Sequence, residues 1–316
     1  MIVRWSLDEL PATLAEVGIE RPFLISSPRW QSLELPLVVA RWLEVPSERV
    51  VVPREADGVL AVGGGSAIDT GKYASAQSGK PVVHVPTTYS GAEWTTFYGI
   101  RSSDRIMRGG GSGAQPVAIV YDVELTLELP ADVTAGTSLN GLAHCAEALY
   151  VRGHNADGDA EALKGARLIS SALPRVLAAP QDRGARDELL HGAAHAGHAL
   201  GLSGLALAHA MAQALGGTYG APHGAMNALC LPPALEFNSA FVPDEVARFG
   251  EAIGGDAVAR SRELALLGGF DRLRDYGVPQ DDLPELADAA AQRAGNQANP
   301  RPATAAEILE LFRGIF

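Results

Sequence analysis

The chain has 316 residues, of which 47% are hydrophobic, and a formal net charge of −12 at pH 7. This length suits about two domains. The acidic balance and the lack of a basic run argue against nucleic acid and anionic membrane surfaces as partners. Cys145 and Cys230 form no CxxC pair, and no apolar run approaches the roughly 18 residues of a membrane span. We therefore expect a cytoplasmic protein.

The first part of the chain alternates apolar runs with helical patterns. Runs typical of buried strands lie at residues 23–26, 49–52, 58–62, 81–85 and 117–121. Helical patterns lie at 7–17, 31–43 and 67–78. This alternation predicts an α/β domain. The runs at 49–52 and 58–62 are too close for a parallel crossover, so we expect either antiparallel pairing or a missing crossover helix.

After residue 127 the predicted strands end and alanine-rich helical patterns follow. These patterns lie at 131–150, 160–178, 185–200, 205–215, 243–252, 260–276, 283–291 and 305–312. The chain therefore predicts an α/β domain over residues 1–128 and an all-helical domain over residues 129–316. Within the first domain, the glycine-rich stretch 109–113 lies beside Arg101, Arg105 and Arg108 and predicts a mobile loop.

The run Gly63-Gly64-Gly65-Ser66 follows a predicted strand and opens a helical pattern that contains Asp69. Glycines let backbone N–H groups approach an anion, and a helix start adds partial positive charge. The run therefore predicts a phosphate-binding turn, with a plain strand-to-helix turn as the alternative.

A second polar loop, residues 86–95, follows the next predicted strand and carries Thr87, Thr88 and Ser90. Hydroxyl groups at the carboxyl end of a strand suit contacts to a cofactor in an open α/β sheet. An ordinary turn rich in Ser and Thr is the alternative interpretation.

Polar residues at helical spacing in the second domain predict a further site. Asn140 and His144 lie four residues apart on one helix face, and Glu147 follows three residues later. His209 lies on another predicted helix, and His223 follows in a predicted turn. The three histidines can converge on a metal ion or a polar substrate, although each taken singly fits an ordinary structural residue.

A second histidine stripe, formed by His191, His195 and His198, lies on a helix rich in Ala and Gly. Its small neighbours leave room for a pocket. The alternative is that these histidines are structural or face solvent.

Together these segments resemble the iron-containing (group III) alcohol dehydrogenase superfamily, in particular its maleylacetate reductase branch. Residues 63–69 with Lys72 resemble the family's pyrophosphate loop, and residues 86–95 resemble its second cofactor loop. The other similar segments are 121–130 at the domain crossing, 139–150 and 209–224 around the metal ligands, and 299–302 near the C-terminus.

The resemblance implies a dehydroquinate synthase-like fold, with an α/β nucleotide-binding domain, an all-α second domain and the active site in the cleft between them. It implies hydride transfer from NADH or NADPH to an enone or carbonyl substrate, and a homodimer. The implied catalytic residues are His144, His209 and His223. The implied coenzyme contacts are Gly63, Gly64, Gly65, Ser66, Asp69, Thr87, Thr88 and Ser90.

Two departures from the family pattern bear on the chemistry. The family holds iron or zinc through an Asp and three histidines, which correspond to Asn140, His144, His209 and His223. Asn140 lacks the negative charge, so affinity for a divalent ion is expected to fall. Gln213 stands where the family has a proton-relay histidine and cannot exchange a proton near neutral pH. His195 or His198 are then the candidates for a relay.

The expected substrate is maleylacetate, an enone with two carboxylates, which Arg101, Arg105 or Arg108 could bind. The strand at 23–26 is followed by Arg29 and by no acid, which favours NADPH. Three alternatives stay open: a metal-dependent alcohol dehydrogenase acting on an aldehyde or ketone, a specialised biosynthetic reductase, and a non-catalytic relative that acts as a binding module. A sugar-phosphate cyclase fits the motifs less well.

Overall fold

The structure is a computed structural model that describes residues 1–35, 37–102 and 107–316. The chain divides into two compact units. The first comprises Met1–Thr88 and Ala92–Glu128, and the second comprises Tyr89–Gly91 and Leu129–Phe316. A short piece of the predicted second cofactor loop therefore groups with the helical unit.

The first unit is built on a six-stranded sheet in the order β1-β8-β5-β4-β2-β3, in which every neighbouring pair is parallel. The strands are β1 (Ile2–Arg4), β2 (Pro22–Ser26), β3 (Ala40–Trp42), β4 (Gly58–Gly63), β5 (Val82–Pro86) and β8 (Pro116–Val120). A separate antiparallel hairpin is formed by β6 (Tyr98–Arg101) and β7 (Met107–Gly111). The α/β fold predicted for the N-terminal part is confirmed.

Both faces of the parallel sheet are buried, which explains why its strands are continuous apolar runs. Successive residues point to opposite faces, so Val59 and Leu60 belong to two different core clusters. Helix α1 (Leu10–Glu16) contributes to the core cluster that contains Leu60. Helix α2 (Gly65–Ser78) contributes to the core cluster that contains Val59.

Two predictions in the connection to β4 are wrong. The helix predicted at 31–43 is absent from the described residues there, which hold strand β3, because the sequence places a proline at position 36. Residues 49–52 form no strand: Val50 is buried in the core, but Val51 is 77% exposed. The described residues 43–57 contain no helix. Of the two expectations for this region, antiparallel pairing or a missing crossover helix, the missing helix is therefore confirmed.

The glycine-rich stretch at 109–113 was expected to be a loop, and this is also wrong in part. Gly109, Gly110 and Gly111 pair with β6 in the hairpin. Gly110 fits because a Cβ there would lie 2.8 Å from the Tyr98 carbonyl oxygen. Arg105 lies outside the described residues.

The second unit is helical, as expected. Its helices are α3 (Ala131–Ala148), α4 (Ala156–Ala178), α5 (Arg183–Leu202), α6 (Leu207–Tyr219), α7 (His223–Ser239), α8 (Pro243–Ile253), α9 (Ala257–Leu267), α10 (Leu283–Ala291), α11 (Ala294–Ala298) and α12 (Ala305–Gly314). Helix α3 is almost wholly buried.

Two helix predictions in this unit need correction. His223 was expected in a turn, yet it is the first residue of α7, which continues through Pro232 and Pro233. Because proline disfavours a helix interior, these two residues explain why the sequence pattern did not predict this helix. The helix predicted at 260–276 ends at Leu267, before two glycines, and a separate 3₁₀ turn follows at Leu273–Tyr276.

No single helix among the described residues is long and apolar enough to cross a membrane. One bent pair, α5 with α6, passes such a test on length and composition alone.

His84 in β5 makes the stability of the first unit depend on pH. Its ring is fully buried, with Nδ1 3.1 Å from the Glu93 carbonyl oxygen. Burial, together with the charge of Lys72, lowers the pKa of His84 to about 3, from an ordinary value of 6.5. Between these values only the unfolded chain takes up the proton, so stability is full above pH 6.5 and falls as the pH drops.

We predict that replacing His84 with Gln reduces this pH dependence. The free energy of unfolding of the unmodified protein should fall by up to about 1.4 kcal/mol per pH unit more steeply than that of His84→Gln. Urea unfolding between pH 7 and 4.5 measures both slopes. Equal slopes would contradict a neutral, buried His84.

Candidate active site

The carboxyl edge of the parallel sheet carries the two predicted cofactor loops side by side. Gly63 at the end of β4 pairs with Pro86 at the end of β5, and the Thr87 N–H donates to the Gly63 carbonyl at 3.0 Å. Helix α2 starts at Gly65, and no side chain caps its N-terminus. Its first N–H groups are therefore left for an anion, at the edge where open α/β sheets bind phosphates.

Two glycines are required by the local geometry of this turn. Gly63 has a φ of 145°, which side-chain-bearing residues rarely adopt. A Cβ on Gly64 would lie 2.8 Å from Cγ2 of Thr88 and would push the two loops apart. The turn thus has the form of a phosphate loop, while contacts of residues 63–66, Thr87 and Thr88 with a coenzyme stay a prediction.

Asp69 and Lys72, which the sequence places next to this turn, are engaged within the first unit. The Asp69 carboxylate accepts from the Gly99 N–H at 3.2 Å and lies 2.9 Å from Lys72 Nζ. Lys72 is 1% exposed, and its ammonium donates to the carbonyls of Ala92 and Phe97. The pair therefore ties helix α2 to the chain that follows the second loop.

Three histidines meet in the second unit: His144 on α3, His209 on α6 and His223 at the start of α7. The rings of His144 and His209 stack with their centroids 4.7 Å apart, and the centroids of His209 and His223 are 5.9 Å apart. His144 and His209 are buried. The structure thus brings together the three histidines that spacing had singled out, and we call them the histidine cluster.

Close helix packing positions His223 in this cluster. A Cβ on Gly224 would overlap the carbonyl group of Gly136, so only glycine lets the first turn of α7 touch α3 here. Gly136 lies one helical turn before Asn140. His223 is therefore placed beside the turn of α3 that carries Asn140.

Glu147 holds His209 from the side opposite the cluster. Its carboxylate is fully buried and accepts three N–H groups: those of the Ala206 and His209 backbone at 2.9 and 3.1 Å, and ring Nδ1 of His209 at 2.6 Å. This contact fixes the proton on Nδ1 and fixes the ring orientation, so Nε2 of His209 points away from Glu147. Sequence spacing placed Glu147 near the site but could not assign this role.

Asn140 is oriented by two amide contacts. Its Nδ2 donates to the Ser90 carbonyl at 3.0 Å, and this acceptor decides which end of the amide is nitrogen. The other end, Oδ1, accepts from Nδ2 of Asn227 at 2.7 Å. Ser90, a predicted coenzyme contact, thus uses its carbonyl within the helical unit. Sequence reasoning missed Asn227.

The same amide groups face two of the histidines. Asn140 Nδ2 lies 3.4 Å from Nε2 of His144, and Asn227 Nδ2 lies 3.1 Å from Nε2 of His223. Nε2 of His144 and Nε2 of His223 therefore each accept a hydrogen bond from an amide N–H group. Burial lowers the pKa of His144 well below its ordinary range, and charge on His209 or His223 lowers it further. His144 is consequently neutral, with its proton on Nδ1.

These contacts do not fit a divalent metal. Three of the atoms that an ion would draw on, Asn140 Oδ1 and Nε2 of His144 and of His223, already face amide N–H groups. The only carboxylate described in contact with the cluster, Glu147, lies behind His209. In the described part of the chain, no group of three or more His, Cys, Asp or Glu side chains is arranged to hold a metal.

The second histidine stripe pairs with carboxylates of Glu161 and Asp187. Glu161 on α4 receives Nδ1 of His195 at 2.6 Å and Nδ1 of His198 at 3.3 Å. The two rings are partly exposed, and His191 lies 3.8 Å from Asp187. The catalytic role of His195 as a proton source therefore stays a prediction, made for a residue that pairs with Glu161.

The predicted carboxylate-binding arginines receive no further support. Arg108 donates to the Ser102 hydroxyl at 2.9 Å on the exposed hairpin. Arg101 lies on β6. Arg29, which favoured NADPH, is 3.3 Å from the Glu128 carboxylate.

A buried arginine that sequence reasoning missed anchors the segment Tyr89–Gly91. Arg186 is 1% exposed, and it donates to the Tyr89 hydroxyl at 3.2 Å and to the carbonyls of Pro180 and Leu129. The Tyr89 N–H donates to the Thr137 hydroxyl at 3.3 Å. The Ser90 carbonyl that orients Asn140 is therefore held on a fixed segment of chain.

Comparison with known proteins gives a consistent answer. Residues 134–316 match the Fe-containing alcohol dehydrogenase family, C-terminal, and residues 48–124 match iron-containing alcohol dehydrogenase. A maleylacetate reductase from Sphingobium indicum is 34% identical over 311 residues, which cover 97% of this chain and 84% of the relative. A maleylacetate reductase from Pseudomonas knackmussii is 32% identical, with 98% of this chain and 93% of the relative covered.

A solved structure is also similar. The crystal structure of maleylacetate reductase from Rhizobium sp. strain MTP-10005 aligns with a TM-score of 0.90 at 29% identity, covering 100% of this chain and 95% of that one. The fold and these matches define a nicotinamide-dependent oxidoreductase. The chain belongs to the iron-containing alcohol dehydrogenase family, and it is an NAD(P)-dependent oxidoreductase of the maleylacetate reductase type. The resemblance inferred from its motifs is confirmed.

We predict that Glu147→Gln lowers kcat by about 10- to 100-fold. The carboxylate of Glu147 accepts three N–H groups, and the side-chain nitrogen of a glutamine would oppose one of them with N–H groups of its own. The matched control is Glu161→Gln, which breaks a contact of the same length, to His195. Steady-state kinetics with saturating coenzyme measures both. If the control alone lost activity, a relay through His195 would replace the role given to Glu147.

Proposed function

We propose that this enzyme reduces the carbon–carbon double bond of an enone dicarboxylate, converting maleylacetate to 3-oxoadipate with NADH or NADPH. The observation that carries the proposal is the amide-bonded histidine cluster. Asn140 and Asn227 present N–H groups to His144 and His223, where a metal-dependent alcohol dehydrogenase needs ligand lone pairs. Maleylacetate reductases are also among the relatives that cover most of this chain.

The reaction balances without a metal. The coenzyme gives a hydride from its nicotinamide ring to the carbon β to the ketone, and the electrons of the double bond move to form an enolate. A proton drawn from solvent water then adds to the α-carbon, which leaves oxidised coenzyme and the saturated ketone. Charge builds on the ketone oxygen during hydride transfer, so hydrogen-bond donors at that oxygen lower the barrier.

His209 is the candidate for contact with this oxygen. Its Nδ1 is held by Glu147, and its Nε2 is sealed from solvent without a hydrogen-bond partner among the described residues. In its imidazolium form His209 carries a proton on both ring nitrogens, so Nε2 donates to the ketone oxygen as negative charge develops there. The Glu147 carboxylate behind the ring stabilises this form, as in other His–carboxylate pairs. His144, with Nε2 already accepting, serves as a stacked neighbour that fixes the plane of the His209 ring.

The first unit supplies the coenzyme site in this proposal. The uncapped start of α2 and the turn at Gly63–Gly65 hold the pyrophosphate, and the hydroxyls of Thr87 and Thr88 lie at the same sheet edge. The proposal includes a homodimer that acts in the cytoplasm on a small, carboxylate-bearing substrate. Fluorescence titration with NADPH and NADH tests the coenzyme site directly.

We predict that His209→Ala lowers turnover of maleylacetate by about 100-fold or more, with coenzyme affinity nearly unchanged. His191→Ala, which alters an imidazole on the other stripe that has no proposed relay role, is the matched control and should keep its turnover. Absorbance loss of the reduced coenzyme follows both reactions. Unchanged turnover in His209→Ala would remove His209 from the mechanism, and a wild-type protein that reduces only simple aldehydes would refute the substrate class.

A further inference from the structure

Arg293, in the helical unit, has no carboxylate partner among the described residues. It lies at the residue before α11, half-buried, and its Nη2 donates to the Gln213 carbonyl at 3.1 Å. Its Nε is sealed from solvent and has no hydrogen-bond partner among the described residues. No carboxylate in the described part of the chain lies within ion-pair distance of it. Burial lowers the pKa of Arg293 below its ordinary value.

Two other arginines of this unit pair with a carboxylate. Arg301 pairs with Glu307 at 2.6 Å, and Arg248 pairs with Asp159 at 2.9 Å. A half-buried guanidinium gains most from a carboxylate, because burial has already removed part of its water. Arg293 is therefore suited to an anion that binds from outside the protein.

The position of Arg293 connects it to the histidine cluster through α6. Gln213 lies about one helical turn, or about 6 Å, beyond His209 on that helix. The α11 backbone is packed tightly on α6, since a Cβ on Gly295 would lie 2.6 Å from the Ala206 carbonyl oxygen. Ala206 in turn donates its N–H to Glu147, the residue that holds His209. The same few residues of α6 thus position both His209 and Arg293.

We propose that Arg293 binds one carboxylate of the substrate through its terminal nitrogens, and that Gln213 assists with its side-chain amide. This assignment rests on the proposed reduction of an enone dicarboxylate and names its carboxylate receptor. Nη1 carries no hydrogen bond in the described structure and, unlike Nε, is not sealed from solvent. Together with Nη2 it forms a fork that matches a carboxylate. The Gln213 side chain also makes no hydrogen bond among the described residues.

This arrangement gives a physical reason for glutamine at position 213. In this assignment the neutral amide of Gln213, whose backbone carbonyl already accepts from Arg293, donates a second hydrogen bond to the carboxylate. The distance of one helical turn between His209 and Gln213 suits a short substrate, whose ketone oxygen meets His209 while a terminal carboxylate meets Arg293. Selectivity for charged enones over neutral ones follows.

Arg293→Met tests the assignment, with KM and kcat measured for maleylacetate and for a neutral enone of similar size. We expect KM for maleylacetate to rise about 10- to 100-fold with kcat changed far less, and the kinetics of the neutral enone to stay the same. Arg293→Lys, which keeps the charge but not the fork, should fall between the two. The matched control is Arg248→Met, which should leave both substrates unaffected.

Folding and the proposed function are checked separately. Thermal unfolding and NADH titration show whether Arg293→Met is folded, and Gln213→Ala offers a second variant with a smaller expected rise in KM. If KM for maleylacetate is unchanged in a folded Arg293→Met, or rises equally for the neutral enone, the carboxylate assignment is wrong while the reductase stands. If the unmodified protein does not reduce maleylacetate, the proposed function itself fails.

Discussion

The amide of Asn140 is the contact on which the chemistry of this protein depends. Its nitrogen donates to the Ser90 carbonyl and its oxygen accepts from Asn227, and these two contacts fix the orientation of the amide. An aspartate at this position would add a negative charge and lone pairs to the histidine cluster. The amide instead presents an N–H group to Nε2 of His144, which makes that ring nitrogen an acceptor. This leaves His209, with Glu147 behind it, as the group that can respond to charge on a substrate.

Helix packing makes such a buried polar group possible. Seven of the 18 residues of helix α3 are Ala or Gly, so neighbouring helices approach closely and exclude water. The contact of Gly136 with Gly224 sets the distance between α3 and α7, and that of Gly295 with Ala206 sets the distance between α11 and α6. Polar groups enclosed in this way must find partners within the protein or in a ligand. Among the described residues, His209 and Arg293 each keep a nitrogen atom without a hydrogen-bond partner inside the protein.

Much of this fold could be predicted from local sequence patterns. The core strands β2, β4, β5 and β8 are continuous apolar runs, and most helices carry an alanine-rich periodicity. The errors have local causes: Pro36 and the edge strand β3 in one region, and Pro232 with Pro233 inside α7 in another. Spacing also identified Asn140 and the three histidines. Asn227 and Arg293 escaped, because their partners lie far away in sequence and only the fold brings them together.

The most direct test of this account is to measure turnover of maleylacetate by protein stripped of metal with a strong chelator, before and after adding Zn²⁺ or Fe²⁺, while metal content is determined on the same samples. If the amide-bonded cluster works as described, the stripped protein keeps full kcat with far less than one metal per chain, and added metal does not raise it. Activity that disappears on stripping and returns in proportion to bound metal would contradict it.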